Sequence, residues 1–98
     1  MSVTREQVEA ERAQLDQELA DPAVVGDPRR LGQKAKRKAD LETHLGLFDE
    51  QASLRQKLSD AKSLAEGEGE LAELARAEVT ELEARLTAVE SQLAERAH

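Results

Sequence analysis

At 98 residues with a net charge of −7, the chain is long enough for one domain and too acidic to bind nucleic acid indiscriminately. Its hydrophobic content of 39% includes 16 alanines, and Phe48 is the only aromatic, which excludes a broad aromatic core; with 36% charged residues, the composition predicts an all-α domain over residues 1–98 built from long helices. The absence of cysteine excludes disulfides, thiolate zinc sites and iron–sulfur clusters, and no apolar run approaches the roughly 20 residues of a membrane span.

The first helix is expected over about residues 4–20. Thr4 and Gln7 have capping-box spacing, and Val3 and Val8 occupy the positions of a hydrophobic staple. Val8, Leu15 and Leu19 then form a thin apolar stripe in which Arg12 takes a place where an apolar residue is expected. A helix of about sixteen residues with so narrow a stripe is marginal alone, so it must dock on a neighbour. Pro22 ends it, because proline disfavours helical geometry in the residue before it.

The connector runs from Asp21-Pro22 to Asp27-Pro28, and the second pair reads as an N-cap followed by proline at the first helical position. A second helix is expected from Pro28 to about Ala65, and at ~1.5 Å per residue it would span ~57 Å, making the domain a rod. Gly32 and Gly46 are its weak points, and Gly46 is a candidate kink. Projected at ~100° per residue, Leu41, Leu45, Phe48 and Ala52 share one side, while Leu47, Leu54, Leu58, Ala61 and Ala65 share the nearly opposite one. Such a helix needs two partners in succession, and the helices before and after it are the natural ones.

Residues 66–70, Glu-Gly-Glu-Gly-Glu, form a polar glycine-rich break. The third helix is expected over about 71–96, with Ala72, Val79, Leu86 and Leu93 at one heptad position and Ala75, Leu82 and Val89 at the other. The short loop makes the second and third helices antiparallel neighbours. The predicted architecture is an elongated, coiled-coil-like antiparallel hairpin with a short N-terminal helix docked on it. Leu82, Leu86, Val89 and Leu93 should face Leu47, Leu54, Leu58 and Ala61.

The motif scan finds no catalytic set. Gly67-x-Gly69-x-x-Ala72 matches a dinucleotide fingerprint, but a helix precedes it where a strand is required, and Glu68 and Glu70 would repel a pyrophosphate. Ser59 and Lys62 match S-x-x-K without its companion motifs and without an expected pocket. His44 has no ligand set on its helical face and reads as a solvated residue beside the apolar stripe; His98, at the end of the sequence, is expected to fray. No cofactor, metal or small-molecule substrate is expected, and the chain reads as a non-enzyme. The first residues, Met-Ser-Val-Thr-Arg-Glu-Gln, lack the apolar segment of a signal peptide, so the expected location is the cytoplasm, without membrane contact.

The charge is segregated. Arg29, Arg30, Lys34, Lys36, Arg37 and Lys38 fall within ten residues that hold no acid, whereas residues 66–83 hold seven glutamates against Arg76. Arg30, Lys34 and Arg37 project within ~60° of one another, and Arg29 and Lys36 lie on an adjoining strip. From sequence alone the favoured reading is a solvated face, or one paired with acids such as Asp16, Glu18 or Asp21 of the first helix. The sharper reading is contact with phosphates, with no aromatic present for base stacking.

Glu18-Leu19-Ala20 followed by residues 21–28, DPAVVGDP, then Arg30, Leu31 and a basic helix, resembles the N-terminal domain of bacterial class I peptide chain release factors. The stretch ELARAEVTELEARL, residues 73–86, looks like the final helix of the same domain. Val24-Val25 between the Asp-Pro pairs looks closer to the release factor 1 branch than to the release factor 2 branch, which tends to place aromatics there. The resemblance covers roughly residues 5–96 and implies a docking domain of a translation termination factor, engaging the rRNA and protein of the ribosomal factor-binding region near the GTPase-associated centre. It also implies a bearing on the GTPase release factor as a partner. The family's Gly-Gly-Gln and Pro-x-Thr motifs do not occur in the sequence, so the chain is expected neither to read codons nor to release peptides by itself; it looks like an excised first domain or a truncated relative. The alternative is a generic coiled-coil adaptor or oligomerisation module.

Overall fold

The computed structural model describes residues 2–96, which carry helices and no strands: α1 (Arg5–Leu19), α2 (Pro22–Val25), α3 (Pro28–Ala65) and α4 (Glu70–Glu95). The chain divides into two compact units. The first holds the described residues up to Gly46 together with Arg96, and the second is Leu47–Glu95.

Within the first unit, local chemistry fixes each helix start. The Thr4 hydroxyl accepts from the Gln7 amide at 3.1 Å while the Gln7 side chain accepts from the Thr4 amide at 2.9 Å, so two orphan donors are satisfied reciprocally. The expected connector is itself helical for one turn: Asp21 caps α2 by accepting from the Ala23 amide at 2.9 Å, with Pro22 at the first helical position. Asp27 then caps α3 by accepting from the amides of Arg29 and Arg30 at 3.1 and 3.3 Å. Two Asp-Pro pairs therefore start two successive helices, where the sequence pattern distinguishes only the second. Val8 and Leu15 of α1, Val24 of α2, and Leu41 and Leu45 of α3 are buried. α1 runs antiparallel to the start of α3, as the pairing of Glu11 with Arg37 and of Glu18 with Lys34 requires. The thin α1 stripe is thus docked, as its marginal length demands.

The second unit is an antiparallel hairpin of residues 47–65 of α3 and the whole of α4. Leu54, Ala61, Leu82 and Val89 form its buried cluster, with Leu47, Leu58, Val79, Leu86 and Leu93 half-buried against it. The faces expected from the heptads are therefore the faces that meet. Towards the turn the buried residues are Ala72 and Ala75, so the seam narrows to small side chains there. Glu90 accepts from Gln51 at 3.0 Å and from Arg55 at 2.8 Å beside the seam, and Arg76 donates to the Gly67 carbonyl at 3.0 Å across the turn. Gly69 sits at φ 91°, a conformation that a Cβ would strain, and its carbonyl accepts from the Glu73 amide to open α4. α3 stays helical through Gly46, the candidate kink.

Candidate nucleic-acid interface

The six basic residues expected to form a contact stripe all lie on the first three turns of α3, in the first unit, and the structure separates them into two groups. Lys34, Arg37 and Lys38 are engaged by acids. Lys34 Nζ donates to Glu18 at 3.1 Å, Lys38 Nζ to Asp16 at 2.7 Å with Glu42 at 3.9 Å, and Arg37 to Glu11 through Nε at 2.6 Å and Nη2 at 2.9 Å. Arg37 Nη1 also donates to Asp40 at 3.1 Å, and the other oxygen of Asp40 accepts from Arg96 at 3.1 Å. Asp21, a suggested partner, is instead spent on capping α2.

Arg29, Arg30 and Lys36 form the second group. All three are exposed, and none makes a side-chain ion pair with an acid among the described residues. Arg29 and Lys36 are seven residues apart and share a face of α3 that points away from Lys34 and Lys38, hence away from α1. The sequence reading of an internally paired stripe thus describes one half of the basic run and leaves the other half open to solvent.

The ion pairs shift the groups that form them. The hydrogen bonds from Arg37 hold the Glu11 carboxyl below the usual carboxylate range, and the same bond to Glu11 raises the Arg37 guanidinium. Hydrogen bonding to Asp16 raises Lys38. Hydrogen bonds from Gln51 and Arg55 lower Glu90 in the second unit.

His44 differs from its sequence expectation. It is buried, 6% exposed, and is the one buried polar side chain among the described residues. Burial first, then the charge of Arg96, lowers its imidazole, with Asp40 opposing. Its position between the Leu41 and Leu45 turns explains the burial, since the docked face of α3 is wider than the leucine spacing alone suggests. His98 lies outside the described residues. Ser59 and Lys62 do share a depression, contrary to the expectation of no pocket: a shallow open groove lined by Arg55, Leu58, Ser59, Lys62, Ser63 and Glu66. Ser63 Oγ donates to the Ser59 carbonyl at 3.3 Å, and no histidine lines the groove. Two features escaped the sequence reading, Glu11 as the Arg37 partner and Arg96 as an Asp40 partner. Neither had a signal in the sequence, because each pairing joins residues far apart in the chain, 26 apart for Glu11 and Arg37 and 56 apart for Asp40 and Arg96.

Comparison with known proteins identifies the domain. The PCRF domain family matches residues 8–96. Peptide chain release factor 1 of Geobacillus kaustophilus (strain HTA426) is 38% identical over 90 residues, covering 90% of this chain and 25% of that protein. Those of Acidobacterium capsulatum and Geobacillus sp. (strain WCH70) are 32% identical over 89 residues and 35% identical over 80 residues, covering 90% and 80% of this chain. The chain spans about a quarter of the length of the curated relatives it matches. No solved structure gives a significant match. Among the described residues no helix is long and apolar enough to cross a membrane. With the family match extending from α1 to the end of α4, the chain belongs to the PCRF domain family.

Proposed function

We propose that the chain is a non-catalytic docking domain of translation termination, one that engages the ribosome near its GTPase-associated centre and makes its first contacts through Arg29, Arg30 and Lys36. The observation that carries this reading is the match over residues 8–96, together with relatives named peptide chain release factor 1. The exposed trio supports the phosphate-contact part of it: three cations at the start of α3 that make no side-chain ion pair among the described residues, in a chain that is otherwise strongly acidic. A long-range field of that kind orients an acidic protein so that only one region meets a polyanion. Lys34, Arg37 and Lys38 serve a different purpose in this reading, holding α1 on α3 through Glu18, Glu11 and Asp16.

The test is ribosome binding by co-sedimentation across a salt series. Arg29→Gln/Arg30→Gln/Lys36→Gln should weaken binding and reduce the log–log salt slope by roughly 2–3 units. Lys36→Gln alone should give about one third of that change. A triple variant that binds as the parent does at every salt concentration removes these residues from the interface; a parent chain that fails to sediment with ribosomes removes the docking function itself. In the same preparations the chain should give no peptidyl-tRNA hydrolysis on stop-programmed ribosomes, because Gly-Gly-Gln is absent from its sequence.

A further inference from the structure

The turn end of the second unit inverts the usual placement of leucine and alanine. Ala72 and Ala75 are buried in the seam, whereas Leu71 and Leu74, each one residue earlier, are 64% and 69% exposed. On the other helix Ala61 is buried and Leu64 is 51% exposed. These leucines add little to the hairpin's own core, and leaving large apolar side chains in water forgoes the stabilisation that burial would give. Helical periodicity also places them together. Gln51 and Arg55, which both donate to Glu90, lie with it to one side of the apolar seam; at ~100° per residue Leu64, Leu71 and Leu74 project to the opposite side. Leu71 and Leu74, at i and i+3, are neighbours on one ridge of α4.

Within the segment that carries this patch the charges have one sign, with Lys62 and Arg76 just outside it. From residue 64 to residue 74 the only charged residues are Glu66, Glu68, Glu70 and Glu73. The next cation along the chain, Arg76, is drawn to the Gly67 carbonyl. Acid of that density opposes RNA and anionic membrane surfaces alike, and it complements a cationic peptide. We infer that the Leu64, Leu71 and Leu74 patch with its glutamate rim is a docking surface for a basic amphipathic helix of another protein, leucine-like residues seated on the leucines and lysines or arginines over the glutamates. This surface is on a different unit from Arg29, Arg30 and Lys36 and does not depend on the termination reading.

The probe is a fluorescein-labelled synthetic helix of ~14 residues with leucine on one face and lysine on the other, with a leucine–glutamate peptide as its counterpart. The leucine–lysine peptide should bind the chain and shift the amide resonances of residues 64–74, and the leucine–glutamate peptide should not bind. Leu71→Ser/Leu74→Ser should weaken binding by about tenfold or more at fixed salt, and Glu70→Gln/Glu73→Gln should weaken it and lessen its salt dependence. Both double variants should melt within a few degrees of the parent, since the changed side chains are exposed. Equal binding by the serine variant would reduce the contact to charge alone and overturn the proposal. So would resonance shifts confined to other residues, a serine variant that melts well below the parent, or a parent self-association that the serine variant abolishes, since a second copy would then be the occupant.

Discussion

Arg37 holds Glu11 with two nitrogens, Nε at 2.6 Å and Nη2 at 2.9 Å, across 26 residues of sequence. The same guanidinium reaches Asp40, which in turn accepts from Arg96, so one arginine joins α1 to α3 and lies one carboxylate away from the end of the described chain. The planar fork of arginine suits such a two-point contact in a way that a lysine ammonium cannot. Both partners are about half exposed, which limits what the pair contributes in water. A double-mutant cycle with Glu11→Gln and Arg37→Gln, followed by denaturant unfolding, should give a coupling of about 0.5–1 kcal/mol that fades at high salt. Arg37→Lys should lose most of it. Zero coupling at low salt would show that the Glu11–Arg37 pair does not help to hold α1 on α3.

His44 makes the stability of the first unit depend on pH. Burial and the nearby Arg96 lower its imidazole, so between the folded and unfolded values the unfolded chain binds the extra proton. The stabilisation is complete above the unfolded value, near 6.5, and is lost as pH falls through the folded one. The parent should therefore lose stability from pH ~6.5 downward, and His44→Gln should flatten that part of the curve. An imidazole titration at or above the free value, followed by NMR, would contradict this assignment.

On the acid side, Glu11 and Glu90 follow the same sign. Hydrogen bonds lower both carboxyls, so their contribution is present above the unfolded value and disappears as pH falls through the folded one. Glu90→Gln should diminish the loss of stability below pH ~4 in thermal melts. A parent and variant with superimposable acid limbs would remove the Gln51 and Arg55 contacts from the stability of the hairpin.

The hairpin core offers a graded test. Leu54 and Leu82 are 1% and 3% exposed, and truncating either to alanine should cost about 2–5 kcal/mol. Leu86 sits at a heptad position yet is only half-buried, so Leu86→Ala should cost clearly less. Equal costs at all three positions would indicate that the hairpin is shifted in register.

Glycines in α3 and in the turn should respond in opposite directions. A Cβ at Gly46 or at Gly32 meets nothing within 4 Å, and Gly46→Ala in the helix interior should raise stability by about 0.5–1 kcal/mol. Gly69→Ala should lower it, because φ 91° is strained for any residue with a Cβ. A stabilised Gly69→Ala would mean that the turn can adopt another conformation at little cost.

Much of this was legible in the residues themselves. Thr4 with Gln7, Asp27 with Pro28 and the glycines at 67 and 69 mark helix ends through bonds made within a few residues, and such bonds depend on little beyond the local chain. The heptad at Ala75, Leu82 and Val89 named the buried seam because a helix has one geometry and only one of its faces can pair. Tertiary structure alone decided the fate of the charges. Lys34, Arg37 and Lys38 share a helix with Arg29, Arg30 and Lys36 and are chemically alike; the antiparallel docking of α1 brings Glu18, Glu11 and Asp16 to the first three and to none of the others. His44, which the sequence places beside the apolar stripe in solvent, is likewise buried only by the tertiary structure. An ion pair between residues 26 apart is set by the meeting of two helices, and no periodicity within either helix contains that information.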